Sequence, residues 1–152
     1  MIEGDLVLTF FSDPYKDELL YSAISRYHYY IGNIDFKDTI EELFDSRTVV
    51  ASLTIQCNLN TLVKKLGDAY TADNLINNNT IFPFYSPFLL SSKKEELKNK
   101  NGIGIYNKIG ICAGSVCEKY GIYYCPICAK KDIDTLGEAY IHREHQLLIL
   151  LF

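Results

Sequence analysis

The chain has 152 residues, which is enough for one domain or for one domain with a small satellite. With 48% hydrophobic and 22% charged residues, its composition is that of a globular protein and excludes a disordered one. The net charge of −4 argues against strong non-specific DNA binding by the whole chain. The charge is unevenly distributed, because residues 1–90 hold 6 basic and 12 acidic groups, whereas residues 91–152 hold 9 basic and 7 acidic groups. Any contact with phosphate is therefore expected in the second part.

The sequence is that of a cytoplasmic protein. It contains no apolar stretch of about 20 residues, as a membrane-spanning helix requires. Its first residues include Glu3 and Asp5 where a signal peptide carries Lys or Arg. Five cysteines, at positions 57, 112, 117, 125 and 128, then belong in a reducing compartment, where a close pair binds metal more often than it forms a disulfide.

Apolar periodicity and capping residues predict four helices in the first eighty residues, over about 14–31, 36–44, 59–66 and 72–77. Their predicted caps are Ser12 or Asp13, Asp35, Asn58 and Thr71, in that order. In the first helix the apolar positions that recur at helical spacing are Leu19, Leu20, Ala23, Ile24, Tyr27 and Ile31. We expect Tyr27 in the core, and Tyr29 or Tyr30 in solvent or at an interface.

Three later segments set the domain organisation. Residues 81–88 contain two prolines and four aromatic rings, which predicts an extended loop pinned across the core. Ser92 and Glu95 have the spacing of a capping box and predict a further helix start. Residues 99–110 are rich in Gly and Asn and form the expected connection between a helical domain, 1–98, and a metal-binding module, 111–152.

The pair Cys125-Pro126-Ile127-Cys128 is the strongest chemical signal. Two thiols at this spacing form a turn that aims both sulfurs at one Zn²⁺ ion. His142 and His145 follow at close range and predict the remaining ligands. Two surface thiols, a redox pair, or two histidines used for packing are the alternatives, and the spacing of the histidines does not decide between them.

An enzyme is not indicated. Gly102 and Gly104 lack the third glycine and the strand–helix setting of a nucleotide-binding turn. His28 lies within the first predicted helix, where packing or surface exposure is more usual than catalysis. Cys112 and Cys117 are best interpreted as small core residues.

Three collinear blocks resemble the N-terminal part of the TnsD/TniQ family of transposon target-selection proteins. The first is FFSDPYKDELLYS at 10–22, followed by SRYH at 25–28 and GN at 32–33. The second joins LFDSR at 43–47 to IFPFYSPF at 81–88. The third joins YCPIC at 124–128 to Asp132 and GEAYIHREHQ at 137–146, similar to the family's YCPxC, Asp and GEAYWHRxHQ.

The resemblance implies a transposition accessory that does not cut DNA. Such proteins help to specify the insertion site in target DNA and recruit the transposon's AAA+ ATPase regulator (TnsC-like), and TniQ-type members dock instead onto a CRISPR effector complex. The implied fold is mainly α, a small helical domain with helix-turn-helix-like elements followed by a zinc-knuckle module. The implied cofactor is Zn²⁺.

The chain departs from the family after the third block. The family continues with LPGV and a CPxH pair that supplies further zinc ligands, and TnsD proteins add a long portion for DNA recognition. Here residues 147–152 read LLILLF. We therefore expect a truncated member in which His142 or His145 substitutes for the missing ligands, or in which the site is incomplete.

The expected contacts with DNA phosphate are the basic side chains around the knuckle, which are Lys119, Lys130, Lys131 and Arg143. The alternatives to a DNA-binding accessory are a protein-interaction adaptor without DNA affinity, which the acidic first half favours, and a degenerate remnant.

Overall fold

The computed structural model describes residues 7–49, 58–92, 94 and 121–147. In this part of the chain the regular elements are helical, and no strand is formed. The α-helices are α1 (Leu20–Ile31), α2 (Phe36–Phe44), α3 (Leu59–Leu66), α4 (Ala72–Asn79), α5 (Phe82–Tyr85) and α6 (Pro126–Leu136), with 3₁₀ turns at Gly67–Ala69, Ser86–Phe88 and Glu144–Gln146. The predicted mainly α fold is confirmed.

Several predictions fall on other residues. The connection at 99–110, Glu95 of the capping box, Cys112, Cys117, Lys119 and residues 148–152 lie outside the described residues. The division into units 1–98 and 111–152 therefore stays a prediction. Among the described helices, none is long and apolar enough to cross a membrane.

Helices α2 to α4 begin where the sequence predicts them. The carboxylate of Asp35 accepts a hydrogen bond from the backbone N–H of Lys37 at 2.9 Å, and the hydroxyl of Thr71 accepts one from that of Asn74 at 3.1 Å. Both are N-caps that satisfy free N–H groups of a first turn. Asn58 precedes α3 as predicted, but it is left-handed (φ 58°) and its side chain makes no capping bond. Helix α4 runs two residues beyond the predicted end.

The predicted start of α1 is wrong. The helix begins at Leu20, and neither Ser12 nor Asp13 caps it. Asp17 is in the left-handed region (φ 60°), which interrupts a right-handed helix before it reaches Leu20. The backbone N–H of Leu19 donates to the carbonyl of Ile141 at 2.9 Å. The residues before α1 are thus committed to a distant part of the chain instead of to a helical turn.

The predicted extended loop at 81–88 is also wrong. Residues 82–88 form the short helix α5 and the 3₁₀ turn that follows it. Each element has a proline in its first turn, where a missing N–H costs nothing and the fixed φ suits a helix. Ile81 and Phe82 are buried, so the segment does lie against the core.

The core is built from the apolar faces of α1 to α4. Its buried members include Leu20, Ile24, Tyr27, Ile40, Leu43, Phe44, Leu62 and Leu75. Tyr27 is 1% exposed and Tyr29 is 80% exposed, as predicted, whereas Ile31 at the end of α1 is 40% exposed and not a core residue. A second cluster of Leu19, Ile81 and Leu147 joins the start of α1 to the end of the described chain.

Candidate metal centre and its docking onto helix α1

The two cysteines lie at the start of α6. Cys125 is the N-cap residue, with Pro126 in the first turn and Cys128 close behind. Hydrogen bonds from the backbone N–H groups of Cys128 and Ile127 lower the pKa of the Cys125 thiol, while the hydrogen bond to Cys125 raises the pKa of Cys128. The start of this helix therefore favours one thiolate, which is the form that binds a metal ion.

His145 completes a set of three ligand types. One ligand atom from each of Cys125, Cys128 and His145 lies within 4.8 Å of the others. Nδ1 of His145 is buried and has no hydrogen-bond partner among the described residues. Burial, followed by the nearby His142, lowers the pKa of His145 and so favours the neutral ring. Two thiols and a neutral imidazole with a free nitrogen fit Zn²⁺.

His142 occupies a neighbouring position. Its Nε2 lies 2.8 Å from Oδ2 of Asp132, which is buried. Its ring stacks on Tyr140 with 4.2 Å between centroids and lies 5.0 Å from the ring of His145. The two predicted histidines are thus close together, but only His145 shares a ligand cluster with the cysteines in the described part of the chain.

The predicted phosphate contacts separate into two kinds. Lys130 and Lys131 are exposed on α6, and neither ammonium group has an ion-pair partner among the residues described. Arg143, in contrast, is turned inward. Its Nε and Nη2 donate to Oδ1 of Asp17 at 3.0 and 2.7 Å, and its Nη1 donates to the carbonyl of Asn77 at 2.6 Å.

A buried carboxylate, Glu18, lies where residues 121–147 contact the start of α1. The side chain of Glu18 is 0% exposed and accepts hydrogen bonds from the backbone N–H of Tyr15, the hydroxyl of Ser22 and Nη1 of Arg26, at 2.8, 2.7 and 2.8 Å. Burial raises the pKa of Glu18, although the hydrogen bonds from Ser22 and Tyr15 and the charge of Arg26 oppose that shift.

Glu138, which follows α6, also contacts Arg26. Its Oε1 accepts from Nε of Arg26 at 3.1 Å and from the hydroxyl of Tyr15 at 2.7 Å, and its Oε2 accepts from Tyr30. Burial raises the pKa of Glu138, but the hydrogen bonds from Tyr30 and Tyr15 and the charge of Arg26 outweigh it, so the net pKa is lowered. The guanidinium of Arg26 also lies 4.1 Å from the centre of the Tyr15 ring.

Backbone contacts complete the docking. Besides the bond from Leu19 to Ile141, the N–H of Arg143 donates to the carbonyl of Asp17 at 2.9 Å. Glu18 and His142 form an isolated antiparallel bridge between them. The left-handed Asp17 thus presents both its carbonyl and its carboxylate to Arg143. These docking contacts join residues more than a hundred positions apart, so no local sequence pattern predicts them.

Comparisons with known proteins identify the family. The model of the TniQ family matches residues 9–151. The chain belongs to the TniQ family. It is also 29% identical over 143 residues to the transposon Tn7 transposition protein TnsD of Escherichia coli, a match that covers 90% of this chain and 28% of TnsD. The resemblance seen in the three blocks is confirmed, and the chain spans little more than a quarter of that relative.

Replacing Arg26 by Ala is expected to lower the free energy of unfolding by about 3–5 kcal/mol, because Glu18 would stay buried without its counter-charge. Arg47→Ala is the matched control, since that guanidinium is 47% exposed beside Asp35, Asp38 and Glu41. Exposed pairs of that kind contribute far less to stability than a buried pair does. Urea unfolding followed by circular dichroism measures both, and equal losses would contradict the role given to Arg26.

Proposed function

We propose that this TniQ-family chain is a non-enzymatic accessory of DNA transposition. It helps to select the insertion target site and recruits the AAA+ ATPase regulator of its transposon. The observation that carries the proposal is the family match over nearly the whole chain, supported by the identity to a transposition protein.

The proposed cofactor is Zn²⁺, held by Cys125, Cys128 and His145. The unpartnered Nδ1 of His145 and the closeness of the three ligand types support this set. When bound, the ion supplies cross-linking of the start of α6 to the turn at Glu144–Gln146. His142 takes a supporting place in this proposal, because the cluster of ligand atoms found among the described residues includes His145 and not His142.

Elemental analysis of protein purified without added metal tests the ligand set. We expect about one zinc per chain in the wild type and a large loss in Cys125→Ser and His145→Ala. His142→Ala should still bind zinc, with an affinity weakened by about 10- to 100-fold, as for a supporting residue. His28→Ala is the control, because the His28 ring bonds to Thr39 on α2 and is not part of the ligand cluster. A zinc-free wild type, or equal zinc loss in the variants of His142 and His145, would overturn the assignment.

The proposed DNA contacts are the exposed Lys130 and Lys131 on α6, and Lys119 stays a prediction from the sequence. Arg143 is left out of this set, because Asp17 and the carbonyl of Asn77 already engage its guanidinium. Lysines at such positions bind phosphate without reading sequence, so their contribution falls steeply with salt.

The double variant Lys130→Ala/Lys131→Ala is expected to weaken binding to duplex DNA at low salt. The slope of log affinity against log salt should become shallower by about 2, since each phosphate contact contributes about 0.9. The control is Lys37→Ala/Lys64→Ala, which removes two exposed lysines from α2 and α3 and so leaves α6 intact. Fluorescence anisotropy measures both, and an unchanged slope in the α6 variant would refute the contact.

A protein-interaction adaptor without DNA affinity is the second candidate. The excess of acidic groups in residues 1–90 favours it, as do the exposed side chains of Tyr29 on α1 and of Ile34 between α1 and α2, 80% and 101% exposed. A CRISPR effector complex is one partner of this class that the family implies. Absence of any binding to duplex DNA at low salt, together with binding to the ATPase, would favour this candidate over the first.

A further inference from the structure

A cleft lies beside the residues that precede α1. It is formed between residues 14–17 and helix α4, next to Arg143, and has a volume of about 500 Å³. Tyr15, Tyr70 and the buried Leu75 belong to its lining. The volume is in the range of clefts that hold a small ligand or a few residues of a peptide.

Two carboxamides line this cleft from one face of α4. Asn74 and Asn78 are four positions apart, and both are exposed. Neither side chain is hydrogen-bonded to another described residue. Asn79, which also lines the cleft, is already engaged, since its side chain donates to the carbonyl of Glu18 at 2.9 Å. Two donor–acceptor groups are therefore available to a ligand.

The spacing of these two groups matches an extended peptide. Residues four apart on an α-helix are separated by about 6 Å along its axis. Alternate residues of an extended chain are about 6.6–6.8 Å apart, and their N–H and C=O groups point to the same side. A carboxamide donates to a C=O and accepts from an N–H, so Asn74 and Asn78 are able to pair with two alternate residues of one strand.

The charge at the cleft defines the ligand further. Asp17 is neutralised by Arg143. The Lys16 side chain is exposed and lines the cleft, and its ammonium group has no ion-pair partner in the part of the chain that the structure describes. The charge that remains available to a ligand is positive, which favours an acidic residue.

We propose that this cleft binds an extended, acidic segment of a partner protein, with its backbone paired to Asn74 and Asn78 and its carboxylate near Lys16. The site is separate from the cysteines and from the lysines of α6. The proposal for the cleft therefore does not depend on the proposals for zinc and DNA binding.

A random 12-residue peptide library displayed on phage tests this, with the full chain as bait. We expect enriched sequences that share Asp or Glu, and synthetic versions that bind the wild type. Asn74→Ala/Asn78→Ala should weaken their binding by about tenfold or more, because several hydrogen bonds are lost. Lys16→Glu should abolish the preference for acidic peptides.

Asn77→Ala is the matched control. It changes the same residue type on the same helix, but its side chain does not line the cleft, and its carbonyl still accepts from Arg143. It should bind the peptides as the wild type does. All three α4 positions are exposed and Ala favours helix, so the variants are expected to keep the wild-type melting temperature.

Two results would overturn the proposal. One is a library without enrichment, or peptides that bind the wild type and Asn74→Ala/Asn78→Ala equally. The other is a shift of the Asn74 and Asn78 side-chain amide signals in NMR spectra by a single-stranded oligonucleotide and not by the peptides. That outcome would assign the cleft to nucleic acid instead.

Discussion

The structure depends on how one buried charge is compensated. Glu18 is removed from solvent at the start of α1, and a carboxylate in that position is tolerated only with a counter-charge and hydrogen bonds. Arg26, two turns along the same helix, supplies the counter-charge and reaches a second carboxylate, Glu138. One guanidinium therefore joins the first part of the chain to the segment that carries the cysteines and histidines.

This junction explains several local irregularities. The chain enters α1 six residues later than its sequence pattern predicts, because residues 17–19 bond to the backbone of Ile141 and Arg143. Asp17 adopts a left-handed conformation, which is costly for a residue with a side chain, and the contacts to Arg143 offset that cost. The turn at Glu144–Gln146, which carries His145, follows directly, and the side chain of Gln146 holds it to the backbone of Tyr123 just before α6. Binding of a metal ion there would add to the stability of the docked arrangement.

Much of the helical part was predictable because its signals are local. The bounds of α2 and α3 follow from apolar periodicity within one short window, with Asp35 as the N-cap of α2 and Gly67 directly after the last residue of α3. The errors come from long-range contacts or from proline. The start of α1 depends on Ile141, which no local pattern indicates. At 81–88 each proline occupies a first turn, where it favours a helix and not the predicted extended backbone.

The candidate metal site was predictable in part for the same reason. The CxxC spacing is a local signal and identifies Cys125 and Cys128. The choice between His142 and His145 is not local, because it depends on which ring lies beside both cysteines and on the buried, unpartnered Nδ1 of His145. At Arg143 a local signal is opposed by a long-range contact. Its charge beside the knuckle predicts a phosphate contact, but its partner Asp17 is far away in the sequence.

The account predicts that the metal site and the start of α1 are energetically coupled. Amide hydrogen exchange, measured with and without a zinc chelator, tests this most directly. The amides of Leu19 and Arg143 make the bonds across the junction, so their exchange should speed up when zinc is removed, while exchange within α2 should not change. Equal exchange of Leu19 and Arg143 under both conditions would contradict the account.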